Sequence, residues 1–269
     1  MRDLRAPGRY ALIACLWTVL LFASQVASPD AAAAPTAIGG AVRVPILMYH
    51  YIRVNPVARD RAGADLSVAP RDFVQEMQLL ASTGFHTVSL DDLTAALVSG
   101  RALPPKPVVL TFDDGYEDFY TAAYPVLRAD GFRATSFVIT GLVGAPGYLT
   151  WSQMREMEAS GLVQFESHTV HHMEMTRLSI PQAQRELLES KWTLEMQLGV
   201  PVRYFCYPSG RYNARIELLV LHDGYTAAVS TRYGEVHTSR DLGALTRIRI
   251  HGGESLASFA AAVGISSGW

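Results

Sequence analysis

Cysteine is scarce in this chain, with only Cys15 and Cys206 among 269 residues. Cys15 falls inside an N-terminal export signal, and its removal would leave Cys206 alone, so no intrachain disulfide is expected. An excess of charge of one sign is also missing. The formal net charge of −2 gives no electrostatic case for binding nucleic acid or an anionic membrane, and a neutral or mixed-charge polymer is the better expectation. Internal repeats, charge runs and a second-domain linker are absent, so the mature part reads as one domain. The apolar run from Ala11 to Ala23 falls short of the roughly 20 residues that cross a bilayer.

That run has a specific context. Arg2, Arg5 and Arg9 precede it, and small residues follow it up to Ala31–Ala34. This is the three-part layout of a secretory signal peptide, with cleavage near Ala33 or Ala34. Residues 1–34 are read as the signal, 35–43 as a linker and 44–269 as the folded domain. An uncleaved signal acting as an anchor is the alternative and the one membrane association expected. Leu12-Ile13-Ala14-Cys15 faintly resembles a lipoprotein box, but it stands at the start of the apolar run instead of its end. Export makes the protein secreted, periplasmic or cell-surface, and a monomer is expected.

With 49% hydrophobic residues, the rest can build one sizeable core. Apolar strand candidates are Ile46–Tyr49, His86–Ser89, Val108–Phe112, Ala134–Ile139, Val163–Glu166, Tyr204–Tyr207, Thr226–Val229 and Leu245–Ile250. Helical patterns lie between them. Asp72–Ala81 repeats apolar residues at three- and four-residue steps, Tyr116–Ala129 follows an Asp pair, and Trp151–Ser160 follows Thr150, a good N-cap. Gln182–Leu198 carries Leu188, Trp192 and Met196 on one face and is ended by Gly199 and Pro201. Alternating strands and helices argue a largely parallel α/β sheet, and seven or eight such units suit a closed or nearly closed barrel.

Two stretches carry chemistry. "VVLTFDDGY", Val108–Tyr116, ends an apolar strand in two adjacent carboxylates before a glycine turn. Neighbouring acids repel unless a cation or proton sits between them, although Asp114 could also simply cap the next helix. "ESHTVHHMEM", Glu166–Met175, places His168 and His172 four apart with His171 between them. In a helical turn that spacing puts both imidazoles on one face, within reach of one metal ion. Together the stretches offer one carboxylate and two imidazoles, leaving an open position for water and one spare Asp as a base.

On these residues the chain resembles the polysaccharide deacetylases that share the NodB homology domain, carbohydrate esterase family 4, from about Val44 to about Ile250. "TFDDG" at Thr111–Gly115 matches the family's first motif; "SHTVHH" at Ser167–His172, continued by "MTRLS", matches its second. The resemblance implies a deformed (β/α)7-type barrel, Asp113 as general base and Asp114, His168 and His172 as ligands of one divalent metal. Zinc is the expected metal, with cobalt, nickel or iron as alternatives. It favours His172 over His171.

The third motif is half present. In "FCYPSG", Phe205–Gly210, Pro208 is kept, while Cys206 stands where relatives carry an Arg that orients the base. Ser209 replaces a Tyr whose backbone N–H serves the oxyanion. A slow or substrate-selective enzyme is therefore expected, and nothing marks a partner base for Cys206 as a nucleophile. The family's acid His follows a late strand. Here "ILMYH" matches that strand better than "LTRIRIHGG", as in the circularly permuted poly-N-acetylglucosamine and intercellular-adhesin deacetylases. This assigns His50 as the acid, with His251 the substitute. Tyr116, and after it Trp151, Tyr207 and Tyr212, are candidates to grip sugar rings. The implied activity is N-deacetylation of an exported polysaccharide, poly-N-acetylglucosamine, chitin-like or peptidoglycan. An O-acetyl esterase and a non-catalytic glycan-binding relative are the alternatives.

Overall fold

The computed structural model describes residues 40–57 and 59–265, so the expected signal peptide and most of the expected linker lie outside it. Seven parallel strands close into a ring: β1 (Ile46–Tyr49), β2 (Pro107–Phe112), β3 (Ala134–Val138), β4 (Val163–Ser167), β5 (Tyr204–Cys206), β6 (Ala227–Tyr233) and β7 (Leu245–Arg249). Neighbours in sequence are neighbours in the ring, and β7 returns to pair with β1 through Ile248 opposite Leu47. The helices are α1 (Arg61–Leu66), α2 (Pro70–Ser82), α3 (Leu90–Ser99), α4 (Tyr124–Asp130), α5 (Trp151–Ala159), α6 (Ile180–Leu198), α7 (Ala214–His222) and α8 (Leu256–Ala262). Three of them fill the β1–β2 connection, while β6 and β7 are joined without one, and this uneven spacing deforms the (β/α)7 barrel. Val42–Arg43, at the end of the expected linker, pair antiparallel with Val236–His237.

Strand alternation decides what points where. Ile46, Val109, Tyr204, Cys206, Val229 and Leu245 share one apolar cluster inside the ring. Their neighbours Leu47, Leu110, Phe112, Phe205, Ala228 and Ile248 belong to a second cluster beneath the helices. Side chains two apart lie on one face of a strand, so the inward parity continues to Arg247 within β7 and to His50 and Asp113 just past the C-terminal ends of β1 and β2. Helix α3 closes the opposite end. Its Leu90, Leu93 and Leu97 join the inner cluster, and the Tyr204 hydroxyl, at the start of β5, bonds Asp91 and Thr94 at 2.8 and 2.9 Å.

The last residue of β1 is anchored outward. Tyr49 stacks on Phe112 at 5.1 Å, meets Phe73 edge-on and donates to Glu76 Oε2 at 2.9 Å. Burial raises the Glu76 carboxyl to about 8, despite the Tyr49 bond, which acts the other way. Between the ordinary carboxylate range and pH 8 the folded state therefore binds a proton that the unfolded chain releases, and stability falls as pH rises through that window. Thermal unfolding should show Glu76→Gln more stable than wild type at pH 8, with the gap closing by pH 5.

Two expectations about helices change. Tyr116–Ala129 is not one regular helix: a π turn at Phe119–Ala123 precedes α4. Pro125 lacks the N–H that a regular helix would need there. In α6 the face carrying Leu188, Trp192 and Met196 points outward, these residues being 43%, 63% and 65% exposed. The buried stripe is Ala183, Leu187, Ser190 and Leu194, where the Ser190 hydroxyl meets that of Ser167 on β4 at 2.6 Å.

Candidate active site

The first motif ends β2. Asp113 N–H donates to Tyr49 O at 2.9 Å, extending the β1–β2 ladder by one residue. The chain then turns through left-handed backbone, φ 75° at both Asp114 and Gly115. An Asp tolerates that region better than a bulkier residue. At Gly115 a Cβ would sit 3.2 Å from Val138 Cγ1, so glycine serves both the turn and the close approach. The turn directs Asp113 and Asp114 to different partners.

Asp114 Oδ1 faces His168 Nε2 at 3.3 Å and His172 Nε2 at 3.5 Å. His168 follows β4, and its Nδ1–H donates to Cys206 O at 2.7 Å, which turns Nε2 toward Asp114. The expected helical turn between the two histidines is not formed. Residues 168–174 are an open loop, with φ 68° at Thr169 and 56° at His172, and His172 N–H donates to Thr169 Oγ1 at 2.8 Å. The imidazoles converge through this loop, with ring centres 4.8 Å apart. His171 is held elsewhere: its Nδ1 meets Glu186 Oε1 at 2.7 Å, and Glu186 Oε2 accepts the N–H groups of Val170 and His171.

These residues suit a metal ion. One donor atom each from Asp114, His168 and His172 lies within 4.8 Å of the others, and buried Asp114 Oδ1 has no hydrogen-bond partner. Two nitrogens and one oxygen make a zinc-type set with room for water. Burial pushes His168 down, but the neighbouring Cys206 and Asp114 override it and hold its pKa well above the ordinary imidazole value. His172 is pushed down by burial and by His168. A second grouping, Asp113, His168 and Cys206, is equally compact, but a fixed cation already stands there. Arg247 of β7 pairs with Asp113 through two bonds of 2.8 and 2.7 Å.

Burial alone would raise the Asp113 carboxyl, yet the Arg247 guanidinium overrides it and holds the group well below the carboxylate range. The expectation of a weakly held base, drawn from Cys206, is therefore corrected: an arginine does grip Asp113, from another strand. His50 sits just past β1 with Nε2 3.9 Å from Asp113 Oδ2, and its buried Nδ1 has no partner. Burial lowers its pKa against the pull of Asp113 and Asp114, so it rests neutral at pH 7.

The family profile of the polysaccharide deacetylases matches residues 100–228. A Bacillus subtilis protein described as a polysaccharide deacetylase, YxkH, is 34% identical over 219 residues, covering 81% of this chain and 75% of its own length. The chain belongs to the polysaccharide deacetylase family. The Streptococcus pyogenes deacetylase PplD, solved with acetate, superposes with a TM-score of 0.77 at 36% identity, covering 82% of this chain and 98% of that one. The Escherichia coli poly-beta-1,6-N-acetyl-D-glucosamine N-deacetylase is 34% identical over 119 residues, 39% of this chain but only 18% of its own.

In this deacetylase the paired motifs open into a cavity of about 320 Å³, lined by His50, Asp113, Asp114, His168, His172, Tyr207 and Ser209, with Asp65, Thr231 and Arg249 among the remaining wall residues. A larger cavity of about 520 Å³ lies at the other end of the barrel, by Pro45 and Pro107, without a cluster of ligand groups. Ser209 is exposed in left-handed backbone, φ 54°, while Pro208 is buried beside it and does not line the cavity. At Gly210 a Cβ would fall 1.9 Å from Thr231 Oγ1, so only glycine lets this turn lie against β6. Tyr116 stacks on Tyr51 at 3.6 Å and tilts against Tyr148, outside the lining; burial and the nearby Asp114 raise its phenol. Tyr207 lines the cavity but is buried, its hydroxyl donating to Gly243 O, whereas Trp151 and Tyr212 pack on the outer core. His251 also stays outside the lining, with its Nδ1 2.7 Å from Asp65.

Arg247 belongs to none of the sequence motifs. Its signal was present: in "LTRIRI" two arginines share the parity of Leu245, inside a strand otherwise apolar or Thr.

Proposed function

We propose that this deacetylase hydrolyses N-acetyl groups on an extracytoplasmic polysaccharide of N-acetylhexosamine, with Asp114, His168 and His172 holding one divalent metal, zinc by preference. The observation that carries the reading is the open Asp114–His168–His172 donor set beside a separately held Asp113. A metal bound there would acidify its water and polarise the acetyl carbonyl. Asp113, ionised at neutral pH, takes the water's proton. His50 is neutral at rest with Nε2 3.9 Å from Asp113 Oδ2, a gap that one bridging water or a small ring movement closes, so the proton taken by Asp113 can pass to His50 and on to the departing amine nitrogen. The Ser209 N–H is assigned to the oxyanion, a donor worth about 2.7–4 kcal/mol in comparable sites. Pro208 sets the turn that presents it, and the Tyr116 hydroxyl, beside Asp114, is the group of that ring assigned to the sugar.

Poly-N-acetylglucosamine is the first substrate to try, on the strength of the named activity of the Escherichia coli relative. The extracytoplasmic setting rests on the N-terminal signal pattern. Acetate release with zinc, cobalt or nickel should be compared on poly-N-acetylglucosamine, chitooligomers, peptidoglycan and acetylated xylan. Release from xylan alone would replace the amidase reading with an O-acetyl esterase. Release from none would leave a glycan-binding relative.

His50 separates amide from ester chemistry. An amine is too basic to leave unprotonated, whereas an alkoxide needs less help. His50→Gln is expected to lower kcat on an N-acetyl substrate by roughly 10²–10⁴-fold and on an O-acetyl ester by much less. Equal losses on both would remove His50 as the acid.

A further inference from the structure

Arg247 touches no substrate in this scheme, and Cys206 stands where the motif resemblance implies an arginine. We propose that Arg247 is the positioning residue for Asp113, and that positions 206 and 247 form one seat with room for a single guanidinium. The proposal rests on Asp113 being the base.

The hydrogen bonds of Arg247 leave nothing over. Nε donates to Ser230 O at 2.9 Å, Nη1 to Asp113 Oδ1 at 2.8 Å and Thr111 Oγ1 at 3.1 Å, and Nη2 to Asp113 Oδ2 at 2.7 Å and Cys206 Sγ at 3.2 Å. A guanidinium has five N–H groups, and each has an acceptor. The Thr111 hydroxyl spends its own hydrogen on Leu47 O at 2.6 Å, so a lone pair is free for the arginine. The Arg247 side chain is 0% exposed and does not line the cavity. Two parallel bonds fix the place and the plane of a carboxylate, which a point charge does not.

The seat is shared because of register. On β6, Val229 pairs with Cys206 on one side and with Leu245 on the other. Positions 206 and 247 therefore reach the same carboxylate from strands on either side of β6. Cys206 Sγ lies 3.4 Å from Asp113 Oδ2 and accepts from Arg247, filling the space that a longer side chain would need. An arginine at 206 beside Arg247 would bring two guanidiniums to one carboxylate in a dry interior, and the surplus charge would be buried unpaired.

The test compares Arg247→Leu, Arg247→Lys, Cys206→Arg and the double variant Cys206→Arg/Arg247→Leu, each loaded with zinc. In the folded variants, KM and zinc content should match wild type. Arg247→Leu should lose roughly 100-fold in kcat, as a misplaced reacting group does. Arg247→Lys should lose about tenfold, keeping the charge without the fork. The double variant should recover at least about tenfold over Arg247→Leu. Cys206→Arg alone should unfold at a lower temperature than the double variant.

A folded, zinc-loaded Arg247→Leu with wild-type kcat would overturn the positioning role, as would a KM change without a kcat change. If Arg247→Leu does not fold, a folded, zinc-loaded but inactive double variant overturns it, and an active one supports it. Cys206→Arg as stable as the double variant would overturn the shared seat. That comparison needs no substrate, so it stands apart from the function reading. A wild type that releases acetate from nothing would sink that reading, and the positioning role with it.

Discussion

Asp113→Asn is expected to lower kcat by roughly 10²–10⁴-fold while zinc content stays at wild-type level. An amide has the shape of the carboxylate but cannot accept the proton, and Asp113 is not in the Asp114–His168–His172 donor set. The substitution also removes the charge opposite Arg247. Breaking a buried pair on one side costs about 3–5 kcal/mol, so a lower unfolding temperature should accompany the lost activity. The bonds from Arg247 to Ser230 O, Thr111 Oγ1 and Cys206 Sγ remain, which favours a folded variant. Acetate-release rates, zinc by elemental analysis and circular dichroism well below the unfolding temperature separate these effects. A variant that keeps zinc and the wild-type rate on an N-acetylglucosamine oligomer would show that another group is the base.

His168→Ala is expected to lose both the metal and turnover. It deletes one of two imidazole donors and leaves Cys206 O without the N–H that it accepts at 2.7 Å. His171→Ala is the matched comparison, since His171 is exposed and tied to Glu186, away from Asp114. Zinc titration should show strong binding lost in the first variant and kept in the second. Loss of zinc in His171→Ala with His168→Ala still loaded would reverse the ligand assignment. Proton competition supplies a second readout. An imidazole binds zinc through a lone pair, so protons compete with the metal for His168 and His172. Affinity should therefore fall as pH is lowered, and calorimetry in buffers of different ionisation enthalpy will count the protons released.

The two adjacent motifs were readable because each lies in a few consecutive residues. Asp113 and Asp114 end β2, and His168 and His172 share one loop after β4, so covalent spacing keeps each pair close whatever the rest of the chain does. The helical turn expected at the histidines is nevertheless not formed. Sequence spacing does not report that Thr169 and His172 adopt left-handed backbone, nor that Glu186 draws His171 aside. The same limit applies to α6. Leu188, Trp192 and Met196 make an apolar stripe by periodicity, but the stripe through Ser190 is the one that docks on β4.

By itself the sequence determined the strand and helix alternation, the family, the Asp pair and the His pair, and through the resemblance of "ILMYH" it singled out His50 as a candidate. All of these lie in short stretches of consecutive residues, where covalent spacing already keeps the groups together. Only the tertiary structure decided which cation holds Asp113. Arg247 lies 134 residues away from it, and the two meet because β7 closes the ring against β1, one strand from β2. Ring closure and register are properties of the whole barrel. They set the small Cys206 side chain beside Arg247 and Asp113, where it leaves the guanidinium its room.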